Sequence, residues 1–592
     1  MLTTEAPDDV ASADVAPADV AMGAGTPPPE GRPEAARRAR SFWLMLLLPL
    51  VVGGLLRVLI GLADDVPTTD ATAYLRSGES IWAGDGFRRE GEPELHFPPL
   101  VPVVLGGAAE LLGDPLTALV VVTVVSGTLL LVPLAGVGRF LGGDTAGLAV
   151  AWVGALCPAL STVASNQGGG SEGPYLLVVL SALWLALLTT RWRGGRAVGG
   201  ALGVGLLTGA AYLTRPEGIL FAAVFVPVLA VGALGGYGAL RGRPGTNRRW
   251  GAAAMLVAVF AVGLSATAAP YVDYLHTRTG RWQLTAKARD ASLEAWRAVA
   301  EHDRRARDQI FYRLDDERES FVAERFTLAE LVKDDPAGYA GIVGVNLRTA
   351  ARELARPEFH PYPSWQLLPL PLLALAGWAA WRRRRRPAAL AVLASAAVAL
   401  VVPLSFFVQP RYLGPAVAVA CVFVGLGLCD LPVRWRRQGW ALAVALLVLS
   451  LFADMGGHRH FWNPREQVEH RVAGEWLHDH TAPGTRVMTR SLVLDYYADR
   501  VMVPMPYSSM SSLLHYARTH GVDYVVADEY QLRAQRPHFY RLFEPGPWPG
   551  LRVVWTHTEG GRLIRVFALD PPAEDDGGEA PTDVGFVGDQ GG

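Results

Sequence analysis

The sequence predicts a polytopic α-helical membrane protein with a small α/β domain near its C-terminus. Of the 592 residues, 51% are hydrophobic, and the mean hydropathy is +0.22. The apolar residues are clustered in runs of about 18 or more, which is long enough for a helix to cross a bilayer. After about residue 465 the pattern changes to short β-branched runs that alternate with helical segments. The formal net charge of −2 gives no indication of a nucleic-acid partner.

About eleven transmembrane helices follow from the hydropathy pattern. The three cysteines all lie within apolar runs and so exclude a disulfide framework for the soluble parts. A further apolar stretch, 99–112, is short, and we expect it to lie along the membrane interface. The predicted spans are 42–62, 116–138, 145–163, 174–190, 197–213, 219–240, 251–272, 364–381, 387–408, 413–431 and 439–452.

Basic clusters predict the orientation of these helices. Residues 1–40 read as a disordered tail that ends in arginines, which marks the cytoplasmic side. If 99–112 does not cross the membrane, the remaining basic clusters all fall on the cytoplasmic side as well. These clusters are 191–196, 241–249, 382–386 and 434–437. The protein is then a multi-pass plasma-membrane protein whose transmembrane domain, 41–455, carries two large extracytoplasmic loops, 63–115 and 273–363.

The segment 456–570 is predicted to form a small extracytoplasmic α/β domain. It contains no phosphate-binding glycine loop, so we interpret it as a cap that shapes the substrate site. The acidic, glycine-rich end, 571–592, is predicted to be disordered. The predicted strands are 486–489, 501–503, 523–527, 551–555 and 563–568, and the predicted helices are 468–480 and 511–520.

The first extracytoplasmic loop holds the leading candidates for catalysis. Asp64, Asp65 and Asp70 follow the first span, and Tyr74 comes four residues after Asp70, on the same face of a helix. A carboxylate at a half-desolvated interface is suited to take a proton from a hydroxyl, because burial raises its pKa. Acids in this position are also typical of an ordinary solvated loop.

Arg57 lies inside the first span, about two turns before Asp64. An ionisable residue in a span is costly and therefore indicates a functional site. Its side chain could reach an aspartate or a lipid phosphate, or simply extend to the interface.

Three other polar motifs and a lysine are predicted at the outer ends of spans. Arginine and lysine there could bind a phosphate group. A glutamate that opens a helix is also explained by the helix dipole alone. The residues are Glu172 in SEGPY, Arg215 and Glu217 in LTRPEG, Arg411 and Tyr412 in QPRYL, and Lys287 after the seventh span.

No metal site is predicted, although a divalent cofactor stays open. Two histidine pairs have a spacing of two residues, but neither pair shows a third ligand. The pairs are His458 with His460 and His478 with His480.

These motifs together resemble the GT-C superfamily of polyprenyl-phosphate-sugar-dependent glycosyltransferases. The resemblance is to the family 39-like branch, which includes protein O-mannosyltransferases and aminoarabinose lipid A transferases. It extends over most of residues 42–430. It rests on an arginine in the first span, DATAY where the family often shows Asp-Glu-x-x-Tyr, HFPPL, SEGPY, LTRPEG, TG followed by a lysine, and QPRYL.

The resemblance implies inverting transfer of a sugar from a polyprenyl phosphate to a hydroxyl of a lipid, glycan or protein. Asp70 would be the base and Glu172 a second site carboxylate. Ala71 stands where the family often has Glu, which leaves a non-catalytic subunit as one alternative. A lipid or sugar transporter or flippase, which would share the spans and could use Arg57 in its pathway, is another. Arg215, Arg411 and Lys287 would hold the lipid phosphate. The full set of substrate-binding candidates is Arg57, Asp64, Asp65, Tyr74, His96, Arg215, Glu217, Lys287, Arg411 and Tyr412.

Overall fold

Long apolar helices make up most of the chain up to residue 465 in the computed structural model. The structure describes residues 31–62, 66–161, 163, 170–235, 246–286, 292–322, 328–355, 368–465, 468–559 and 561–571. Met1–Met45 form one unit and Leu46–Gly592 another. The first helix, α1, begins at Gly31, so the chain becomes helical before the end of the predicted tail at residue 40.

Within the described residues, turns, two 3₁₀ helices and a small hairpin connect the helices of this part. The hairpin strands are β1 (Arg88–Arg89) and β2 (Glu92–Pro93), and the 3₁₀ helices are Pro216–Phe221 and Pro410–Leu413. The helices are α1 (Gly31–Gly61), α2 (Thr69–Trp82), α3 (Leu100–Leu112), α4 (Pro115–Leu129), α5 (Leu131–Gly142), α6 (Asp144–Leu156), α7 (Pro158–Ser161), α8 (Glu172–Thr189), α9 (Gly195–Thr214), α10 (Ala222–Ala233), α11 (Thr246–Thr279), α12 (Leu293–Ala300), α13 (Arg304–Phe311), α14 (Leu328–Asp334), α15 (Pro336–Ala355), α16 (Leu370–Arg383), α17 (Pro387–Ser405), α18 (Gly414–Asp430) and α19 (Val433–Arg465).

Among the described residues, eight helices are long and apolar enough to cross a membrane, so the predicted count of eleven is not confirmed. The predicted span 145–163 is broken after the 13 residues of α6, and 364–381 is largely replaced by the 14 residues of α16. At 1.5 Å per residue such helices reach only about 20 Å, against about 30 Å of hydrocarbon. The eight are Arg40–Gly61, Pro115–Gly142, Glu172–Thr189, Gly195–Thr214, Pro216–Ala233, Arg249–Thr279, Pro387–Ser405 and Pro410–Asp430.

The short helix α3 packs tightly against α2. A Cβ atom on Gly78 would lie 2.5 Å from the carbonyl oxygen of Pro102, and one on Gly106 would lie 2.6 Å from the backbone of Gly78. The two glycines therefore allow the backbones to touch. This contact fixes α2, which carries Asp70, on an apolar base made by α3 and Leu119 of α4.

The C-terminal part forms the predicted α/β domain, and all five predicted strands are present. The sheet order is β4-β3-β5-β7-β6, with β3 parallel to β4 and β5, and β7 antiparallel to β5 and β6. The elements are α20 (Val468–His480), β3 (Arg486–Thr489), α21 (Leu492–Ala498), β4 (Val501–Pro504), α22 (Met510–Thr519), β5 (Tyr524–Asp528), α23 (Glu529–Gln535), β6 (Leu551–Glu559) and β7 (Arg562–Leu569).

This domain contacts the first loop through α21. Arg76 of α2 donates to the carbonyl oxygen of Tyr496 at 2.9 Å and pairs with Asp499 at 2.9 Å. The Tyr496 hydroxyl in turn donates to Glu79 of α2 at 3.3 Å. The C-terminal domain is therefore held directly against α2, the helix that carries Asp70 in its first turn.

Candidate active site

Asp70 lies in the first turn of α2, at the start of the helix. Thr68 caps the helix, and its hydroxyl oxygen accepts a hydrogen bond from the Ala71 amide at 3.3 Å. The helix dipole at this end favours the ionised carboxylate. Tyr74 follows one turn later and is buried, and its pKa is raised by burial and by the charge of Asp70, so that the phenol stays protonated.

Arg411 joins Asp70 to the rest of the site. It lies in the 3₁₀ turn before α18, where its Nη2 donates to Asp70 Oδ2 at 2.8 Å. Its Nε donates to Gln409 Oε1 at 2.7 Å and lies 3.7 Å from Glu172 Oε1. The Nη2 atom also donates to the Tyr412 hydroxyl at 3.2 Å. One guanidinium thus contacts two carboxylates that come from two different helices.

A second arginine contacts the same glutamate. Arg215, between α9 and the following 3₁₀ helix, donates from Nη1 to Glu172 Oε1 at 2.8 Å and from Nε to Glu217 Oε1 at 2.5 Å. Its guanidinium also lies over the Tyr412 ring, 4.9 Å from the centroid. Glu172 opens α8 and is 4% exposed, whereas Asp70 is 33% exposed. Asp70 is therefore the carboxylate of this pair that a substrate can reach more readily.

The structure brings seven of the sequence candidates into one cluster of three carboxylates, two guanidinium groups and two phenols. We call it the Arg–carboxylate cluster. Its members are Asp70, Tyr74, Glu172, Arg215, Glu217, Arg411 and Tyr412.

His96 lies beside this cluster rather than at its centre. Its ring packs edge to face on Phe97, with centroids 4.6 Å apart, and Phe97 packs on Tyr74, also at 4.6 Å. Asp64, Asp65 and Lys287 lie outside the described residues.

The hydrogen bonds described for Arg57 are to backbone carbonyl oxygens and not to members of the Arg–carboxylate cluster. It is fully buried, and it donates to the carbonyl oxygens of Gly53 at 2.9 Å, Leu160 at 2.8 Å and Gly154 at 3.4 Å. Pro158 begins α7 and lacks the N–H that would otherwise bond the Gly154 carbonyl four residues earlier. The described contacts of Arg57 therefore indicate that it satisfies backbone groups at the break between α6 and α7.

The histidine pairs show no common ligand geometry where they are described. His478 Nδ1 lies 3.4 Å from the Ala498 carbonyl oxygen, and His480 Nδ1 lies 2.8 Å from that of Trp476. The side chains of His458 and His460 lie outside the described part of the chain. In the Arg–carboxylate cluster, Asp70 and Glu172 each contact the Arg411 guanidinium.

Comparison with solved structures identifies the fold. The oligosaccharyltransferase of Archaeoglobus fulgidus, in a complex with Zn and sulfate, superposes with a TM-score of 0.52 at 14% identity, covering 82% of this chain and 68% of that one. ArnT from Cupriavidus metallidurans in the apo state gives 0.51 at 16% identity, covering 89% and 98%. The protein has the GT-C fold.

Further structures of the same two proteins also match this GT-C fold. Archaeal AglB with an inhibitory peptide and a dolichol-phosphate gives a TM-score of 0.51 at 13% identity over 88% of this chain and 74% of that one. ArnT bound to undecaprenyl phosphate gives 0.50 at 14% identity over 88% and 97%. No family model and no curated protein matches the sequence.

One organising residue of this GT-C first loop was missed by the sequence analysis. Glu94 is 2% exposed, and its Oε1 accepts from the amides of His96 at 2.6 Å and Phe97 at 3.1 Å. Its Oε2 pairs with Arg89 Nε at 3.1 Å. Three acids of similar appearance stand within six residues in the sequence, REGEPE, so nothing local distinguishes the buried one. Two other residues at the site, Ser171 and Gln409, belong to the SEGPY and QPRYL motifs, which the sequence analysis had identified.

Proposed function

We propose that the protein is an integral-membrane glycosyltransferase that transfers a sugar from a polyprenyl-phosphate donor to a hydroxyl group of an acceptor. The contact of Arg411 with both Asp70 and Glu172 carries this proposal, because it places a phosphate-binding group against a potential base. The matching GT-C structures include one with dolichol-phosphate and one with undecaprenyl phosphate, which supports the donor class.

The reaction is a direct displacement. The acceptor oxygen forms a bond to the anomeric carbon while its proton passes to the Asp70 carboxylate. The bond between that carbon and the phosphate oxygen breaks, and the electron pair leaves with the polyprenyl phosphate. Arg411 and Arg215 stabilise the negative charge that grows on this oxygen, which is the role of preorganised donors. The configuration at the anomeric carbon is inverted.

Donor binding also prepares the base. Asp70 Oδ2 accepts a hydrogen bond from Arg411 Nη2 at 2.8 Å, and a cation this close stabilises the ionised form of the carboxylate. A phosphate that binds Arg411 competes for the same guanidinium and weakens this bond. In this proposal, donor binding at Arg411 is therefore coupled to the ability of Asp70 to accept a proton.

We place the site on the extracytoplasmic face. The site and the basic clusters lie at opposite ends of the same helices: Glu172 begins α8 and Arg191 follows its end, while Arg196 is in the first turn of α9 and Arg215 follows its end. By the positive-inside rule the arginine-rich ends face the cytoplasm. A membrane-impermeant maleimide should label Asp85→Cys in intact cells and Arg193→Cys only after permeabilisation, and the reverse pattern would contradict this placement.

A sugar-transfer assay in detergent, with radiolabelled polyprenyl-phosphate sugars and a panel of acceptors, tests the function. Asp70→Asn should lower the transfer rate at least 10²-fold, as expected for loss of a general base, while donor binding is retained. Asp85→Asn, an exposed acid of the same loop, is the matched control and should be active. Full activity of Asp70→Asn would overturn the assignment, and translocation of the donor without product would favour a transporter.

A further inference from the structure

A second cluster of ligand-type side chains lies in the cap domain, away from the Arg–carboxylate cluster. Glu469 and His470 stand in the first turn of α20, and Asp528 ends β5. All three residues are buried, and each offers one ligand atom within 4.8 Å of the other two. Because Asp528 lies 58 residues after His470, no local sequence motif indicates the cluster.

The second polar atom of each side chain is already held by the protein. His470 Nδ1 lies 2.8 Å from Ser491 Oγ, Asp528 Oδ1 accepts from the Gln531 amide at 2.6 Å, and Glu469 Oε1 accepts from Arg562 Nη1 at 3.0 Å. These outer contacts fix the orientation of each residue. They are the kind of partners that orient histidine and carboxylate ligands in metal sites.

The inner atoms converge on one place. His470 Nε2 lies 2.6 Å from Asp528 Oδ2. If Nδ1 is the protonated nitrogen, which its contact with Ser491 Oγ allows, the Nε2 lone pair faces this oxygen. Two electron-pair donors at this distance require a cation between them, which is either a proton or a metal ion. We propose that Glu469, His470 and Asp528 form a structural site for a first-row divalent cation, with Zn²⁺ as the first candidate from its nitrogen and oxygen ligands.

The site is too closed for a catalytic metal, because the three ligands are at most 6% exposed. A tetrahedral zinc ion has four ligands, so a water molecule would complete the coordination of the three side chains. The ligands of such an ion are about 3.3 Å apart, given bond lengths of about 2.0–2.2 Å, so binding opens the His470–Asp528 distance slightly. The ion would tie α20 to the end of β5, and the contact of His470 with Ser491 joins both to the end of β3. Since α21 follows β3 and contacts α2, the metal would brace the part of the cap that lies against the first loop.

The experiment measures zinc on the full chain purified in detergent, after treatment with a chelator and addition of Zn²⁺ alone. The wild type should retain one zinc per chain and melt at a higher temperature than the zinc-free protein. Asp528→Asn should weaken zinc binding by more than about 100-fold, since loss of an outer partner alone costs about 10–100-fold. Asparagine keeps the helix cap, so this variant should fold. His480→Gln, an exposed histidine of the same helix, is the matched control and should bind like the wild type.

Two results would overturn the proposal. Equal zinc content in the wild type and Asp528→Asn would show adventitious binding, and no zinc in the wild type would show that the cluster is an ion-pair network closed by a proton. X-ray absorption of the wild-type protein gives a check that does not depend on variants. It should show a nitrogen and oxygen shell with one imidazole, and a sulfur ligand or more than one histidine would contradict the site.

Discussion

Replacement of Arg57 by methionine distinguishes a structural role from a role in donor binding. Methionine keeps the length and flexibility of the side chain but removes its donors. The Gly53 carbonyl keeps its helical partner, since residue 57 still has its own backbone N–H. The carbonyls of Gly154 and Leu160, which accept from Arg57 at 3.4 and 2.8 Å, lose that donor.

The expected loss of stability follows from those two bonds. Polar contacts within membrane proteins are worth about 0.6 kcal/mol on average and at most about 1.7 kcal/mol, so two of them give roughly 1–3 kcal/mol. The methionine also removes the cost of a guanidinium in a span, which keeps the total toward the lower end. We expect a lower melting temperature in detergent for Arg57→Met and an unchanged affinity for the polyprenyl-phosphate donor.

The assay compares wild type, Arg57→Met and Arg57→Lys by thermal melting and by donor binding. Lysine keeps a charge but not the two-pronged fork, so its melting temperature should fall between the other two. A tenfold loss of donor affinity in Arg57→Met, with an unchanged melting temperature, would refute the reasoning and place Arg57 in the donor site.

Three further changes test other parts of the structure. Asp308→Asn leaves Arg490 and Arg536, which both pair with Asp308, without their buried counter-charge, and should destabilise the protein by about 3–5 kcal/mol in thermal or denaturant unfolding. Asp495 has its pKa raised to about 8, first by burial, so the native state keeps a proton that the unfolded state releases near pH 4. The stability of the wild type should therefore decrease as the pH rises from about 4 to about 8. Asp495→Asn should remove this decrease when melting temperatures are measured across that range. Arg411→Lys should weaken donor binding about tenfold in a direct binding assay, because an ammonium group cannot form the bidentate fork.

The sequence predicted the local features of the fold well. The strands of the C-terminal domain are short runs that contain β-branched residues, and all five were found within a few residues of the prediction. The count of spans was harder, because average hydropathy does not register where a helix is interrupted. In 145–163 the break comes at Pro158, and the apolar residues on both sides of it gave the appearance of one continuous helix.

The candidate site was predictable as a set of motifs but not as a set of contacts. Asp70 and Arg411 are 341 residues apart, so no spacing in the sequence shows that they pair. The charge of an arginine also does not indicate its role. Arg57 donates to backbone carbonyl oxygens, whereas Arg215 pairs with carboxylates, and the sequence does not distinguish the two. The distinction depends on what surrounds each guanidinium in three dimensions.

The absence of a glutamate at position 71 has a physical explanation in the same geometry. Ala71 is fully buried and belongs to the apolar cluster that α2 forms with Phe97 and with residues of α3 and α4. A carboxylate added there would be placed among apolar side chains, where a charge without a partner costs several kcal/mol. The second carboxylate near Arg411 is instead Glu172, from α8. Asp70 and Glu172 therefore contact the same guanidinium although position 71 carries no acid.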